Sequence, residues 1–211
     1  TTFINVLAPF IPPNHRIISI EDTRELNLPK YLHWIPLTTR EANPEGKGEV
    51  GMLDLLVNAL RMRPDRMIVG EMRRQREAEV LFEAMATGHS VYSTIHANTG
   101  RETIRRLTTP PIELPTAIVS TLPIIVTMYR QRKVGIRRVF EVVELIPSSG
   151  EEEVRLNTLY KWDPRTDKIE KTGESVRVAG DLRLHLGLSM QEVEQEIKRR
   201  QEILDWIVRK K

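Results

Sequence analysis

The sequence predicts an α/β fold, and three observations carry that reading. Short apolar runs bounded by Gly or Pro, such as Met67-Ile68-Val69-Gly70 and Ser90-Val91-Tyr92-Ser93-Thr94-Ile95, have the length and β-branched content of buried parallel strands. Amphipathic stretches with helical spacing lie between such runs, so β and α alternate up to about residue 130. Beyond that point turn chemistry separates longer strand-like runs. This predicts an antiparallel β-hairpin segment and a terminal helix as a small C-terminal elaboration.

Phe3, Val6, Leu7 and Phe10 recur at i, i+3, i+4 and i+7, so a helix over 2–10 is expected to bury that stripe, and Pro12-Pro13 stops it. Arg16 to Ile20 reads as a strand ending in the acidic cluster Glu21, Asp22 and Glu25. From Leu28 to Gly48 the chain reads as irregular, with Pro29, Pro36, Pro44, Gly46 and Gly48; so long a loop in a compact domain is usually functional or mobile. Met52, Leu55, Leu56, Ala59 and Leu60 mark a helix closed by Pro64. A strand from Arg66 delivers Glu71, and a helix through Ala78, Leu81, Phe82 and Met85 ends at Gly88. The Ser90–Ile95 strand delivers His96 and Asn98. Thr99-Gly100-Arg101-Glu102 is a capping-box pattern that opens the next helix. A short helix over 115–121 and a strand over 124–129 follow, then strands over 137–146, 153–162 and 168–172 around the turn Asp163-Pro164-Arg165-Thr166-Asp167. The last helix spans 189–208, opens with the capping-box pattern Ser189-Met190-Gln191-Glu192, and carries Val193, Ile197, Leu204, Ile207 and Val208. Its Lys and Arg residues admit a membrane-surface segment, while its interspersed acids fit a packed helix with a mixed solvated face.

The chain's 211 residues suit a large domain with an appendage, expected as a core over 1–130 and a C-terminal β segment and helix over 131–211. The net charge of +3 is a weak basic bias and not by itself a nucleic-acid footprint. Without cysteine there is no disulfide scaffold and no thiolate metal site. No apolar run approaches the roughly 20 residues that span a bilayer, and no signal-peptide pattern appears. The chain opens at Thr1-Thr2 without Met and is expected to be part of a longer polypeptide.

In open α/β sheets, chemistry gathers just past the carboxyl ends of the strands. Glu71 stands where a strand meets that edge; it can orient a water for attack or reach a hydrated Mg²⁺, or it can simply end a strand. Glu21, Asp22 and Glu25 end a second strand. Two carboxylate-bearing strand ends suit a Mg²⁺–phosphate site, with an acidic turn as the alternative. His89 and His96 are too far apart for the usual zinc spacing; His96 suits a phosphate contact, and His89 suits either such a contact or a Gly-His turn. Arg61, Arg63, Arg66, Arg73, Arg74 and Arg76 flank the Glu71 strand, and Arg73, beside Glu71, is the preferred site residue.

These residues resemble the secretion-ATPase superfamily that drives type II secretion, type IV pili, archaella and type IV secretion. Ile20-Glu21-Asp22-Thr23-Arg24-Glu25 resembles its Asp box. The run from Arg63 to Arg73 resembles its atypical Walker B, in which Gly70 stands where Asp usually precedes Glu71. Gly88-His89 through His96-Ala97-Asn98-Thr99 resembles its His box. The loop Glu45–Glu49 and the run Arg200–Trp206 are similar to the archaeal branch.

The resemblance implies a RecA-like ATPase core, a homo-hexameric ring, ATP and Mg²⁺ as cofactors, and a polytopic membrane platform protein as partner, with no nucleic acid. It implies a cytoplasmic location, peripheral at the inner face of the cell membrane. It assigns Glu71 to the attacking water, Glu21 and Glu25 to the Mg²⁺–water network, His96 to the γ-phosphate and Arg73 to linking these groups. Thr1, Thr2 and His89 become candidate nucleotide contacts, and Thr1, Glu21 and Glu71 candidate Mg²⁺ ligands, partly through water. Arg61 and Arg63 become candidates for a charge donated across a subunit interface. The family's Walker A motif is absent; Thr1 resembles its hydroxyl residue, which places the phosphate-gripping loop upstream. Two further readings stay open: a nucleic-acid-translocating ATPase on the same fold, and an inactive assembly module.

Overall fold

A computed structural model describes residues 1–147 and 154–210. The chain divides into two compact units, Thr1–Thr121 and Leu122–Lys211. Together they form a mixed α/β fold with one parallel and one antiparallel sheet.

In the first unit, β1 (Arg16–Glu21), β2 (His33–Thr38), β3 (Arg66–Val69) and β4 (Ser90–Ser93) form a parallel sheet in the order β2-β1-β3-β4. The pleat sends alternate residues to opposite faces. Ile18, Ile20, Met67 and Val69 pack against α2 (Met52–Arg61) and α3 (Gln75–Ala86) through Leu56, Ala59, Leu81 and Ala84. Ile17 and Ile68 face the other way, toward Ala8, Leu26, Leu28 and Leu32. Both faces are covered, which is why these strands read as continuous apolar runs.

Three expectations change. The 28–48 stretch is not wholly irregular: β2 lies inside it, and Pro36 is tolerated because β2, among the described residues, is an edge strand paired with β1 alone. The first helix is α1 (Thr2–Leu7) with a 3₁₀ turn at Ala8–Phe10, but Val6, Leu7 and Phe10 are exposed. Ile4, Ala8 and Ile11 meet the core instead. Two apolar stripes overlap in this short helix, and periodicity does not choose between them. The capping box at Thr99 is half formed. Thr99 Oγ1 accepts from the Glu102 amide at 3.1 Å, opening α4 (Gly100–Thr108), but the Glu102 carboxylate takes the Asn98 amide at 2.8 Å. The short helix α5 (Thr116–Val119) closes the unit.

In the second unit, β5 (Ile124–Gln131), β6 (Ile136–Pro147), β7 (Val154–Asp163) and β8 (Lys168–Lys171) form an antiparallel sheet in sequence order. It is larger than the expected hairpin because the 124–129 strand pairs with β6. Helix α6 (Arg177–Leu186) was not expected from sequence. Its first amides are satisfied by Glu144, a fully buried carboxylate on β6 that accepts from Val176 N at 2.7 Å, Val178 N at 3.2 Å, Ser175 Oγ at 2.9 Å and Asn157 Nδ2 at 2.8 Å. Helix α7 (Met190–Arg209) has its full capping box, with Ser189 N donating to Glu192 at 2.7 Å. Of its apolar positions only Val193 is buried; Ile197, Leu204, Ile207 and Val208 are exposed. No helix among the described residues is long and apolar enough to cross a membrane.

Candidate functional site

Register aligns three strand ends at one edge of the parallel sheet. Ile20 is level with Val69, and Val69 with Ser93, so Glu21, Gly70 and Thr94 emerge side by side. The chain leaving β3 is strapped on both sides. Gly70 N donates to Ile20 O at 2.8 Å, Met72 N donates to Thr94 O at 3.2 Å, and Thr94 Oγ1 donates to Gly70 O. Glu77, in the first turn of α3, accepts from the amides of Arg73 and Arg74 at 3.3 and 3.2 Å and shapes the remaining turn. Glu71 and Arg73 thus project from a backbone held at both ends.

Glu71 is bound through both oxygens. Oε2 accepts from Arg73 Nε at 2.8 Å and Nη2 at 2.7 Å, while Oε1 lies 3.3 Å from His96 Nε2. Arg73 Nη1 reaches Asp22 Oδ2 at 2.8 Å, and Asp22 Oδ1 accepts from Thr39 Oγ1 at 3.1 Å. The Glu71 hydrogen bond and charge, then the charges of Asp22 and Glu77, raise the Arg73 pKa above its already high value, against a smaller opposing effect of burial. The guanidinium is therefore a fixed cation tying the Glu71 and Glu21–Asp22 strand ends together.

Glu21 occupies a different niche. Its side chain is 3% exposed. Oε1 accepts from the amides of Glu25 and Leu26 at 2.9 and 3.0 Å, and Oε2 is buried without a hydrogen-bond partner. Gly70 abuts it: a Cβ there would lie 3.4 Å from Glu21 Cγ and 3.5 Å from its Cα. These are ordinary van der Waals distances, so residue 70 lies directly against Glu21. An orphan buried carboxylate oxygen asks for a cation or donor. Ser93 Oγ, at the end of β4, is also buried and unpartnered. Glu25 Oε2 accepts from Thr1 Oγ1 at 2.6 Å. No group of three or more His, Asp or Glu among the described residues could hold a metal alone.

The structure thus gathers Glu71, Arg73 and His96, sets Glu21 beside them, and joins Thr1 to Glu25. It does not bring the remaining candidates there. Thr2 is the exposed first residue of α1. His89 precedes β4 and so lies at its opposite end from His96; its Nδ1 is 3.2 Å from Ala84 O, the turn contact that was its other reading. Arg61 and Arg63 are exposed and precede β3. The sequence offers no role for Thr39 and places Asp22 only within the acidic group, not as a partner of Arg73. Asp22 was visible in the acidic cluster, but its partner Arg73 lies on another strand's exit loop; Thr39 follows a strand the sequence concealed.

A sequence profile described as "Type II/IV secretion system protein" matches residues 1–193. The chain is 38% identical over 210 residues to the protein MJ1287 of Methanocaldococcus jannaschii, covering 97% of this chain and 76% of that one. It is 33% identical over 150 residues to the type IV secretion system protein PtlH of Bordetella pertussis, covering 65% and 44%. Among solved structures it resembles the VirB11 ATPase of the Brucella suis type IV secretion system in complex with sulphate, with 29% identity, a TM-score of 0.54, and coverage of 68% and 44%. The pilus retraction motor PilT with bound ADP shares the fold at 24% identity and a TM-score of 0.50, over 94% of this chain and 50% of that one. The chain thus spans half or less of several of these proteins. With a family profile matched over residues 1–193, it belongs to the type II/IV secretion system protein family.

Proposed function

We propose that this chain carries the hydrolytic residues of an ATPase motor, one that hydrolyses MgATP to drive filament assembly or protein export in a secretion, type IV pilus or archaellum-like machine. The observation that carries this reading is Glu71, held between Arg73 and His96 at the carboxyl edge of a parallel sheet, beside a buried Glu21 with one oxygen unpaired. The helix-covered parallel sheet supports a RecA-like core. The names of VirB11 as an ATPase and PilT as a retraction motor with ADP support the activity.

Bound MgATP would supply the phosphoanhydride and the charge-neutralising ion. Glu21 Oε2 and the Thr1 hydroxyl are the groups to hold that ion, partly through water, with Glu25 orienting Thr1. Glu71 orients the attacking water, and Arg73 fixes its carboxylate by occupying Oε2. His96 is 86% exposed and is free to exchange Glu71 for a phosphate oxygen. Arg61 or Arg63 donates its charge to a neighbouring subunit in a homo-hexamer. The ring acts on a polytopic membrane platform protein from the cytoplasmic face, and nucleic acid has no part in this role. The test is phosphate release by the full-length protein carrying Glu71→Gln. A fall of at least about 100-fold is expected; release at the parent rate would remove Glu71 from the assigned role.

A further inference from the structure

The β5–β6 hairpin carries Arg130, Arg132, Lys133, Arg137 and Arg138, with no acidic residue between Tyr129 and Phe140. Arg138 is engaged by Asp167 at 2.7 and 2.6 Å. Arg130, Arg132, Lys133 and Arg137 are exposed and form no ion pair among the described residues. Arg130 stands directly opposite Arg137 in the strand register. Like charges in that position destabilise a hairpin unless something anionic lies over them. At the apex, before the turn glycine Gly135, Val134 is 61% exposed.

A bland explanation is that cations guard the open edge of β5 against pairing with other strands. That covers Arg130. It also covers Arg137, because the β6–β7 ladder begins at Glu141 and leaves Ile136–Val139 paired with β5 alone, but it does not cover Val134, which adds apolar surface where a guard would remove it.

We propose that this hairpin is a lipid-contact element that seats on anionic phospholipid headgroups. Its cations lie among the phosphates, and Val134 enters the boundary between headgroups and acyl chains. A nucleic acid fits less well. Single-strand binders offer exposed aromatic faces for stacking, whereas Tyr129 packs its ring 5.1 Å from Trp162 and 6.3 Å from Phe140. An aliphatic apex also gains nothing from a phosphodiester backbone. The inference extends the membrane-side placement proposed above and requires no nucleotide turnover, so its failure leaves the ATPase reading standing.

The test is co-sedimentation of the chain with vesicles of equal parts phosphatidylglycerol and phosphatidylcholine, against phosphatidylcholine alone. Binding is expected only to the anionic vesicles, weakening as salt rises. The double variant Arg132→Glu/Lys133→Glu should lower affinity about tenfold or more, and Val134→Asp should weaken it at fixed charge. Circular dichroism melting checks that the variants fold; should they not, the lipid and salt comparison on the parent chain still decides. Equal binding to both vesicle types, or no binding to either, would overturn the proposal. So would full retention by a folded double variant, or binding of labelled oligonucleotides without binding of vesicles.

Discussion

Two donors of Arg73, Nε and Nη2, converge on the same oxygen of Glu71, Oε2, at 2.8 and 2.7 Å. The other oxygen is left toward His96 and solvent. A guanidinium used this way holds one carboxylate oxygen with two donors, a fixed fork that a point charge reproduces poorly. Arg73→Ala should lower kcat of the full-length protein about 100-fold with little change in KM, because water is misplaced while nucleotide contacts persist. Arg73→Lys should recover only part of the loss. Steady-state phosphate release on both variants checks this, and an unchanged kcat in Arg73→Ala would remove Arg73 from the site.

Glu21 gives a prediction in which stability and activity move in opposite directions. Its buried Oε2 has no partner, a destabilising condition of the kind held at functional sites. Glu21→Gln retains a carbonyl oxygen for the amides of Glu25 and Leu26 and removes the buried charge. The variant should unfold at higher urea, by about 1 kcal/mol, with an unchanged m-value, while phosphate release collapses. A less stable variant would show that the unpaired Oε2 carries no cost in the folded protein.

Those two residues mark where sequence reading succeeds and where it stops. β1, β3 and β4 were legible because β-branched runs bounded by Gly or Pro are local signals. Glu71, Arg73 and His96 were legible because each follows such a run. α7 was legible through the Ser189 and Glu192 cap, also a local signal. β2 was hidden by Pro36, whose acceptability depends on β2 pairing, among the described residues, with β1 alone. α6 was hidden because its amides are satisfied by Glu144, from the middle of another strand. Asp22 was seen, but its task depends on a guanidinium arriving from the exit of β3. These three misses each turn on long-range neighbours that no window along the chain contains, whereas the misses in α1 and at the Thr99 cap are local ambiguities.

Glu144 is such a partner, and it should be costly to remove. Burial pushes its carboxyl pKa up, but donors from Val176, Asn157, Val178 and Ser175 together outweigh that and leave it lowered. Glu144→Ala would strand those donors in a dry site and should destabilise the Leu122–Lys211 unit by about 3 kcal/mol. Glu144→Gln, which keeps the shape but exchanges an acceptor for a donor, should also destabilise it, to a smaller degree. Urea denaturation followed by far-UV circular dichroism reads both. Parent-like stability of Glu144→Ala would show that α6 docks without this carboxylate.

Asp167 makes the antiparallel sheet sensitive to acid. The Arg138 fork, then the Trp162 Nε1 donor at 2.8 Å, hold its pKa at about 2 against the usual 3.8. A carboxylate depressed on folding contributes stability in full above its unfolded pKa and loses it as pH falls through the folded value. The contribution is therefore complete above about pH 4 and gone below about pH 2. Asp167 adopts φ 52°, a left-handed conformation that Asn tolerates, so Asp167→Asn tests the charge without straining the turn. Thermal melts across this range should show the parent losing more Tm than Asp167→Asn, with the two curves converging at the acid end. Parallel curves would show that the Arg138–Asp167 pair adds nothing to stability despite its bidentate geometry.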